Sequence, residues 1–169
     1  KLKDEALEDL LAYFLFSRDE IIEDNYVLGF KQITEIAVKA MSPGINDPGT
    51  TIIAIDYLAE LFQSRMYKND ISILLEDNKP VVKISSVTFK ELLYFVMAPI
   101  RTYAKHDVII VNKLINLFQH LAFNIDCDNK GYLADIDNEV KRLSIDANSA
   151  ISNQEDLKLI NDRLESFNL

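Results

Sequence analysis

The sequence predicts a mainly α fold, a bundle of six or seven helices with one inserted β-hairpin. Apolar residues recur every three or four positions along most of the chain, and several of these repeats start at capping residues. Residues 71–84 are instead rich in apolar and β-branched residues on both sides of a turn. The chain has 169 residues, of which 49% are hydrophobic, so we expect a single helical domain over residues 1–169.

Two amphipathic helices are predicted first. Residues 3–16 carry leucines at helical spacing behind acidic residues that suit the positive end of a helix dipole. A second helix is predicted to start at Asp24 as its N-cap and to end near Met41. Its expected apolar stripe is Tyr26, Phe30, Ile33, Ala37 and Ala40, widened by Val27 and Ile36.

A sharp break separates this second helix from the next one. Pro43 disfavours α conformation at the residue before it, and Gly44 can supply a positive φ. Pro48 holds Asp47 extended, so that Asp47 can cap a new helix in which the proline takes the first position. That helix is expected to continue to about Met66, with an inward face of Ile52, Ile55, Ala59, Phe62 and Met66.

A β-hairpin is predicted where residues 71–75 and 81–84 flank a turn at residues 76–80. Pro80 indicates an edge strand, because proline lacks the N–H that a central strand needs. Two strands alone are marginal in water. We therefore expect this hairpin to lie on the helices or to pair with another chain.

The second half of the chain is predicted to be helical again. Thr88 and Glu91 form a capping box for a helix that reaches about His106 and is kinked at Pro99. Asp107 is then the expected cap of a helix that ends near residue 123.

Two further helices are predicted at the end of the chain. Apolar residues recur at heptad-like spacing over residues 133–143, and residues 152–155 form a capping box for a last helix. We expect the two to form a helical hairpin or a short coiled coil.

The net charge of −9 comes from the two ends of the chain, while residues 31–125 are nearly neutral. An acidic surface repels phosphate, so we expect no nucleic-acid partner. The single cysteine, Cys127, excludes an internal disulfide. The two histidines, His106 and His120, fit no zinc pattern, and the four glycines form no phosphate-binding loop, so no cofactor is expected.

Residues 126–137 partly match a calcium-binding loop. Asp126, Asp128 and Asp137 stand at positions one, three and twelve, and Gly131 stands at the turn position. Lys130, however, puts a cation where the fifth position should supply an oxygen. We interpret the segment as an ordinary acidic turn between helices, with weak Ca²⁺ or Mg²⁺ binding as the alternative.

The most constrained segment of the chain is the corner at residues 42–51, which contains two prolines and two glycines. Its polar side chains lie where one helix is predicted to end and the next to begin, so we expect them to cap both helices. The alternative is a site for a polar ligand or a partner. The residues that carry either interpretation are Ser42, Pro43, Gly44, Asn46, Asp47, Pro48, Thr50 and Thr51.

The run from Gly29 to Thr51, above all Ser-Pro-Gly-Ile-Asn-Asp-Pro at residues 42–48, resembles the signature of a bacterial family of predicted membrane proteins, domain of unknown function 2254. The resemblance implies that this chain is the soluble C-terminal part of a longer protein with transmembrane helices. It implies the bacterial inner membrane as the location of the parent protein. It carries no known activity and no catalytic residue.

Three functions remain open at this stage. The first is a non-catalytic domain that assembles or regulates its own transmembrane region, as a homo-oligomer joined through the hairpin and the last two helices. The second is a small-ligand or cation sensor coupled to the membrane helices. The third, a hydrolase, would need two carboxylates converging in one cleft. The absence of cysteine pairs favours the cytoplasmic side.

Overall fold

Six helices and one β-hairpin make up the part of the chain that the computed structural model describes, residues 25–125 and 130–166. The mainly α prediction is confirmed, and the hairpin lies between the second and third of these helices. The helix expected at residues 3–16 and the cap expected at Asp24 lie outside the described residues. The elements are α1 Tyr26–Ala40, α2 Pro48–Met66, β1 Ile71–Glu76, β2 Lys79–Ser85, α3 Phe89–Ala104, α4 Val108–Phe123, α5 Lys130–Ala150 and α6 Gln154–Glu165.

Three of the predicted helix caps are confirmed. Asp47 accepts a hydrogen bond from the backbone N–H of Thr50, and Asp107 accepts from two N–H groups at the start of α4. Thr88 and Glu91 form the reciprocal bonds of a capping box at α3. These caps satisfy backbone donors that would otherwise be unpaired in the first turns of the helices.

Two helix starts differ from the prediction. The N-cap of α6 is Asn153, one residue later than expected, and its side chain accepts from the N–H of Glu155 at 3.0 Å. The N-cap position of α1 is Asn25, whose side chain makes no capping bond. A short polar side chain can cap at either of two adjacent positions, so sequence alone leaves an uncertainty of one residue.

A tight two-residue turn joins the strands of the hairpin. Asp77 and Asn78 have positive φ values of 49° and 62°, which fits a type I′ turn. The turn is therefore shorter than the five residues that the sequence predicted, and both strands are longer. The strands pair antiparallel from Ile71 opposite Ser85 to Glu76 opposite Lys79, with an irregularity between Leu74 and Leu75.

The core is formed between the helices. Aromatic rings of successive elements contact each other in it, with ring centroids 4.7 Å apart for Phe30 and Phe62 and 5.9 Å apart for Phe62 and Phe89. The last two helices join the same core through Ile136, Val140, Leu143 and Ala147 of α5 and Ile160 of α6. They also hold each other, since Asn148 and Asn161 exchange side-chain hydrogen bonds of 3.1 Å.

The buried face of α1 differs in part from the predicted stripe. Phe30 and Ala37 are buried as expected, but Tyr26 and Ile36 are exposed and Thr34 is buried. At 100° per residue Ile36 lies about 120° from Phe30, off the side that packs on the other helices. Thr34 tolerates burial because its hydroxyl donates to the carbonyl oxygen of Phe30, 2.7 Å away.

Candidate functional site

The corner at residues 42–51 uses its hydroxyl groups to join α1 to α2. The hydroxyl of Ser42 donates to the carbonyl oxygen of Lys39 at 2.6 Å, and that of Thr51 donates to the carbonyl oxygen of Ala37 at 3.2 Å. Both acceptors lie in the last turn of α1, where they also accept backbone N–H groups, Ala37 from Met41 at 3.2 Å and Lys39 from Ser42 at 3.1 Å. These bonds support the capping interpretation of the two residues.

Asp47 is the centre of this corner. Its carboxylate accepts from both the N–H and the hydroxyl of Thr50, at 3.1 and 2.5 Å. The bonds from Thr50 hold the pKa of Asp47 below its ordinary value. The carboxylate is therefore ionised at the N-terminus of α2, which disfavours an anionic ligand at this point.

The turn within the corner is made differently from the prediction. No described glycine has a positive φ, so Gly44 does not supply one, and the left-handed residue is Asn46 with φ 48°. Asparagine is one of the few side chains that tolerate this conformation. Pro43 and Pro48 lie on either side of it, with Pro48 as the first residue of α2.

The calcium-like loop lies mostly outside the described residues. Asp126 and Asp128 belong to that part, while Asp137 lies in α5 and forms an ion pair with Lys141 one turn later. Within residues 25–125 and 130–166 no group of three or more His, Cys, Asp and Glu side chains has a geometry that could hold a metal ion.

Two carboxylates do share a cleft between α2 and α4. Asp56 and Glu60, one turn apart on α2, line it together with His120. Asp56 forms an ion pair with Lys113, and Nε2 of His120 lies 3.0 Å from the side-chain oxygen of Gln63. Both acids are exposed. The carboxylate of Asp56 is thus paired with the ammonium group of Lys113.

In the part of the chain that the structure describes, both faces of the hairpin are exposed. All six residues of β1 are exposed, and Ile73 and Leu74, which point to opposite faces, are 56% and 50% exposed. Of the two alternatives predicted for the hairpin, packing on the helices is not found among the described residues, and pairing with another chain stays a prediction. The exposed aliphatic residues of the hairpin are Ile71, Ile73, Leu74, Leu75, Val81, Val82 and Ile84.

Arg65, near the end of α2, holds the base of the hairpin. Its guanidinium donates to the carbonyl oxygens of Lys68 and Val87, both at 2.9 Å, and forms an ion pair with Asp70. Asp70 in turn accepts from the N–H of Phe89 at 3.1 Å. One buried side chain thus connects the residues before the first strand with those after the second.

The charge of Arg65 is maintained in spite of its burial. Desolvation alone would lower the pKa of Arg65, but Asp70 and Tyr26 outweigh it and raise that pKa above its ordinary value. The Tyr26 ring lies beside the guanidinium, with its centroid 5.9 Å from Cζ. The Nε atom of Arg65 has no hydrogen-bond partner among the described residues.

A cleft of about 550 Å³ opens beside Arg65, and we call it the root cleft. It lies between the start of α1, the end of α2 and the two ends of the hairpin. Its polar and aromatic lining includes Tyr26, Arg65, Tyr67, Lys68, Ser72 and Ser86. The volume lies within the range of small-molecule sites in proteins.

A comparison with protein-family models matches residues 1–120 to the family described as Predicted membrane protein (DUF2254). The chain belongs to this family. The resemblance drawn from residues 29–51 is thereby confirmed. No curated protein and no solved structure matches the chain.

The part matched to DUF2254 includes the corner, the hairpin, Arg65 and the root cleft, whereas α5 and α6 lie beyond it. Among the helices described for this DUF2254 chain, none combines the length and the apolar character needed to cross a membrane.

Sequence reasoning did not identify Arg65 or the root cleft. One signal was available, because Arg65 lies three residues after the buried Phe62 and so falls on the inward face of α2. A charged residue at an inward position indicates a buried polar contact. The partners of Arg65 come from segments that only the folded chain brings together.

Proposed function

We propose that this chain is a non-catalytic domain of a membrane protein and that it assembles or regulates that protein by associating with a second copy through the hairpin. The supporting observation is the exposure of aliphatic side chains on both faces of an isolated pair of strands. Apolar strands of this kind are normally covered on both sides. Self-association would cover them and add strands to a sheet that is marginal alone.

The first strand is the better candidate for pairing. Strand β2 carries Lys79, Pro80 and Lys83, which are the residue types that protect an exposed sheet edge. Strand β1 has neither proline nor lysine, and its one charged residue, Glu76, stands at the turn. We therefore propose that β1 pairs with β1 of a second copy about a two-fold axis.

The last two helices contribute less to this proposal than the sequence suggested. Their heptad-spaced residues Ile136, Val140, Leu143 and Ile160 are buried in the core of the same chain. Residues used in this way are not available to a partner. The hairpin therefore remains as the self-association surface of the original hypothesis.

The parent protein, in this proposal, is an integral protein of a bacterial inner membrane, and the domain lies on its cytoplasmic side. Its direct partner there is its own transmembrane region. The family description as a predicted membrane protein supports the membrane part of this proposal. The membrane helices of the parent protein would then receive the effect of hairpin pairing.

The experiment compares Leu74→Lys with Val82→Lys by sedimentation velocity over a range of concentrations. Leu74 and Val82 are opposite each other in the hairpin and almost equally exposed, at 50% and 48%. Leu74→Lys places two like charges beside the two-fold axis and is expected to give monomers. Val82→Lys, one strand further from the axis, is expected to remain associated.

A charge-reversal mixture tests the geometry. Leu74→Glu alone is also expected to be monomeric, whereas an equal mixture of Leu74→Lys and Leu74→Glu chains is expected to associate again. A wild-type chain that is monomeric at every concentration would overturn the proposal. Association that is unaffected by Leu74→Lys would move the interface away from β1.

A small-ligand or cation sensor is the second candidate function. For a small ligand the supporting observation is the root cleft, which touches both ends of the hairpin. This position differs from the corner and the calcium-like loop, which the sequence had suggested. A ligand there could bias the hairpin between free and paired states.

A further inference from the structure

We infer that the root cleft binds a small organic anion with an aromatic body, through Arg65 and Lys68 on one side and Tyr26 and Tyr67 on the other. Binding does not require self-association through the hairpin, so the two proposals can fail separately.

The described lining of the root cleft is positively charged. Among the residues that the structure describes, its charged lining residues are Arg65 and Lys68 and none is acidic, although the whole chain has a net charge of −9. Asp70 compensates Arg65 from outside the lining. The Lys68 ammonium group, in contrast, has no carboxylate within ion-pair distance among the described residues. One positive charge is therefore available to a ligand.

The buried guanidinium of Arg65 has one hydrogen-bond donor without a partner among the described residues. Arg65 is only 4% exposed, and its Nε–H is the one nitrogen of its side chain without a partner in the described chain. A buried donor that is left unpaired is costly. Because Nε is itself out of contact with solvent, a ligand oxygen reaches it only when the cleft wall shifts on binding, and an anionic oxygen gains most from that contact.

Two tyrosine side chains also line the root cleft. Tyr26 and Tyr67 line the cleft and are 43% and 67% exposed, while Phe30 and Leu61 form its floor beside the core. Flat apolar walls favour a planar ring, which covers tyrosine at little loss of conformational freedom. The hydroxyl groups of Ser72 and Ser86 add polar contacts at the hairpin ends.

The experiment titrates the chain with 2-naphthoate and with its uncharged isostere 2-naphthamide, and follows naphthalene fluorescence. The chain has no tryptophan, so excitation at wavelengths longer than tyrosine absorbs avoids protein emission. We expect saturable binding of one 2-naphthoate per chain with a Kd below about 1 mM. The amide is expected to bind about tenfold more weakly, because it lacks the charge that Lys68 and Arg65 recognise.

Two pairs of variants locate the site. Lys68→Met is expected to weaken the binding of 2-naphthoate roughly threefold and to leave the binding of 2-naphthamide unchanged. Its control is Lys158→Met, at an exposed position of α6, which is expected to change the binding of neither probe. Ser64, exposed on α2 at the cleft wall, provides the second pair. Ser64→Phe fills the cleft and is expected to abolish binding of both probes, while Ser64→Ala retains it; circular dichroism checks the fold of each.

Three results would overturn the inference: no saturable binding of 2-naphthoate, equal affinity for the acid and the amide, or undiminished binding by Ser64→Phe. The last result would indicate that the probe binds the exposed hairpin instead. Leu74→Lys keeps the root cleft intact and is expected to bind 2-naphthoate as the wild type does. This variant separates failure of the cleft from failure of hairpin pairing.

Discussion

The guanidinium of Arg65 donates a hydrogen bond of 2.9 Å to the carbonyl oxygen of Val87, across 22 residues that contain the whole hairpin. The same side chain pairs with Asp70, just before the first strand. Since the described strands have no covering layer of helices, this contact fixes the hairpin to the rest of the fold. Arg65 is thus the buried anchor of the hairpin, and the hydroxyl groups of Tyr26 and Tyr132 add bonds to Val87 and Lys68 at the exposed side.

Arg65→Met is expected to destabilise the chain by about 2–4 kcal/mol, because a buried ion pair is lost and Asp70 and two backbone carbonyl groups each lose one donor. Urea denaturation measures the loss. Hydrogen exchange is expected to accelerate more in β1 and β2 than in α4. The control is Lys141→Met, which removes an exposed ion pair with Asp137 and is expected to cost about 0.5 kcal/mol or less. Equal stability of the two variants would contradict the anchoring role of Arg65.

A second buried charge network holds α3 against α5. Arg101, 7% exposed, contacts Asp146 and lies 3.4 Å from Glu139, which is 1% exposed and also pairs with Arg142. Arg101→Met is expected to cost about 3–5 kcal/mol, because Glu139 then keeps only a partner at the surface. Urea denaturation near neutral pH measures this loss.

The double variant Arg101→Met with Glu139→Met is expected to recover most of that loss. Removing both charges leaves no unpaired buried ion, and methionine fills a similar volume. A double-mutant cycle gives the coupling energy between the two positions. If the double variant is as unstable as the sum of the single ones, the network contributes through packing rather than charge.

Local signals in the sequence predicted the helices well. The starts of α2, α3 and α4 follow from Asp47, Thr88 and Asp107, because a capping side chain bonds to backbone groups two or three residues away. The two-residue turn was harder to predict, since Asp77-Asn78 lacks the glycine that usually marks a type I′ turn.

Contacts between distant segments could not be predicted. Arg101 and Asp146 are 45 residues apart, and Arg65 reaches Val87 over the length of the hairpin. Periodicity identifies an inward position but does not name the partner that makes a charge tolerable there. The root cleft has the same origin, because three separate segments form it and none carries a motif. The sequence also did not show whether helices or a second chain cover the hairpin, because its apolar residues fit a buried strand and an interface equally well.

Asp135 provides a prediction on pH. Burial raises the pKa of this carboxyl above its ordinary value; nearby Lys90 lowers it and Asp70 raises it. The folded state therefore binds the proton more tightly than the unfolded state. Stability falls as the pH rises from the unfolded to the folded pKa, and the full loss is present above both.

Asp135→Asn is accordingly expected to raise the Tm near neutral pH, and the difference from the wild type is expected to vanish below a pH of about 3. Thermal unfolding followed by circular dichroism across this range measures it. Asp47→Asn is the matched comparison, because the pKa of Asp47 is lowered by Thr50. Its ionised form stabilises the folded state at neutral pH, so this variant is expected to lower the Tm there and to converge with the wild type in acid. A Tm for Asp135→Asn below that of the wild type at neutral pH would show that contacts with Lys90 outweigh the burial of the carboxylate.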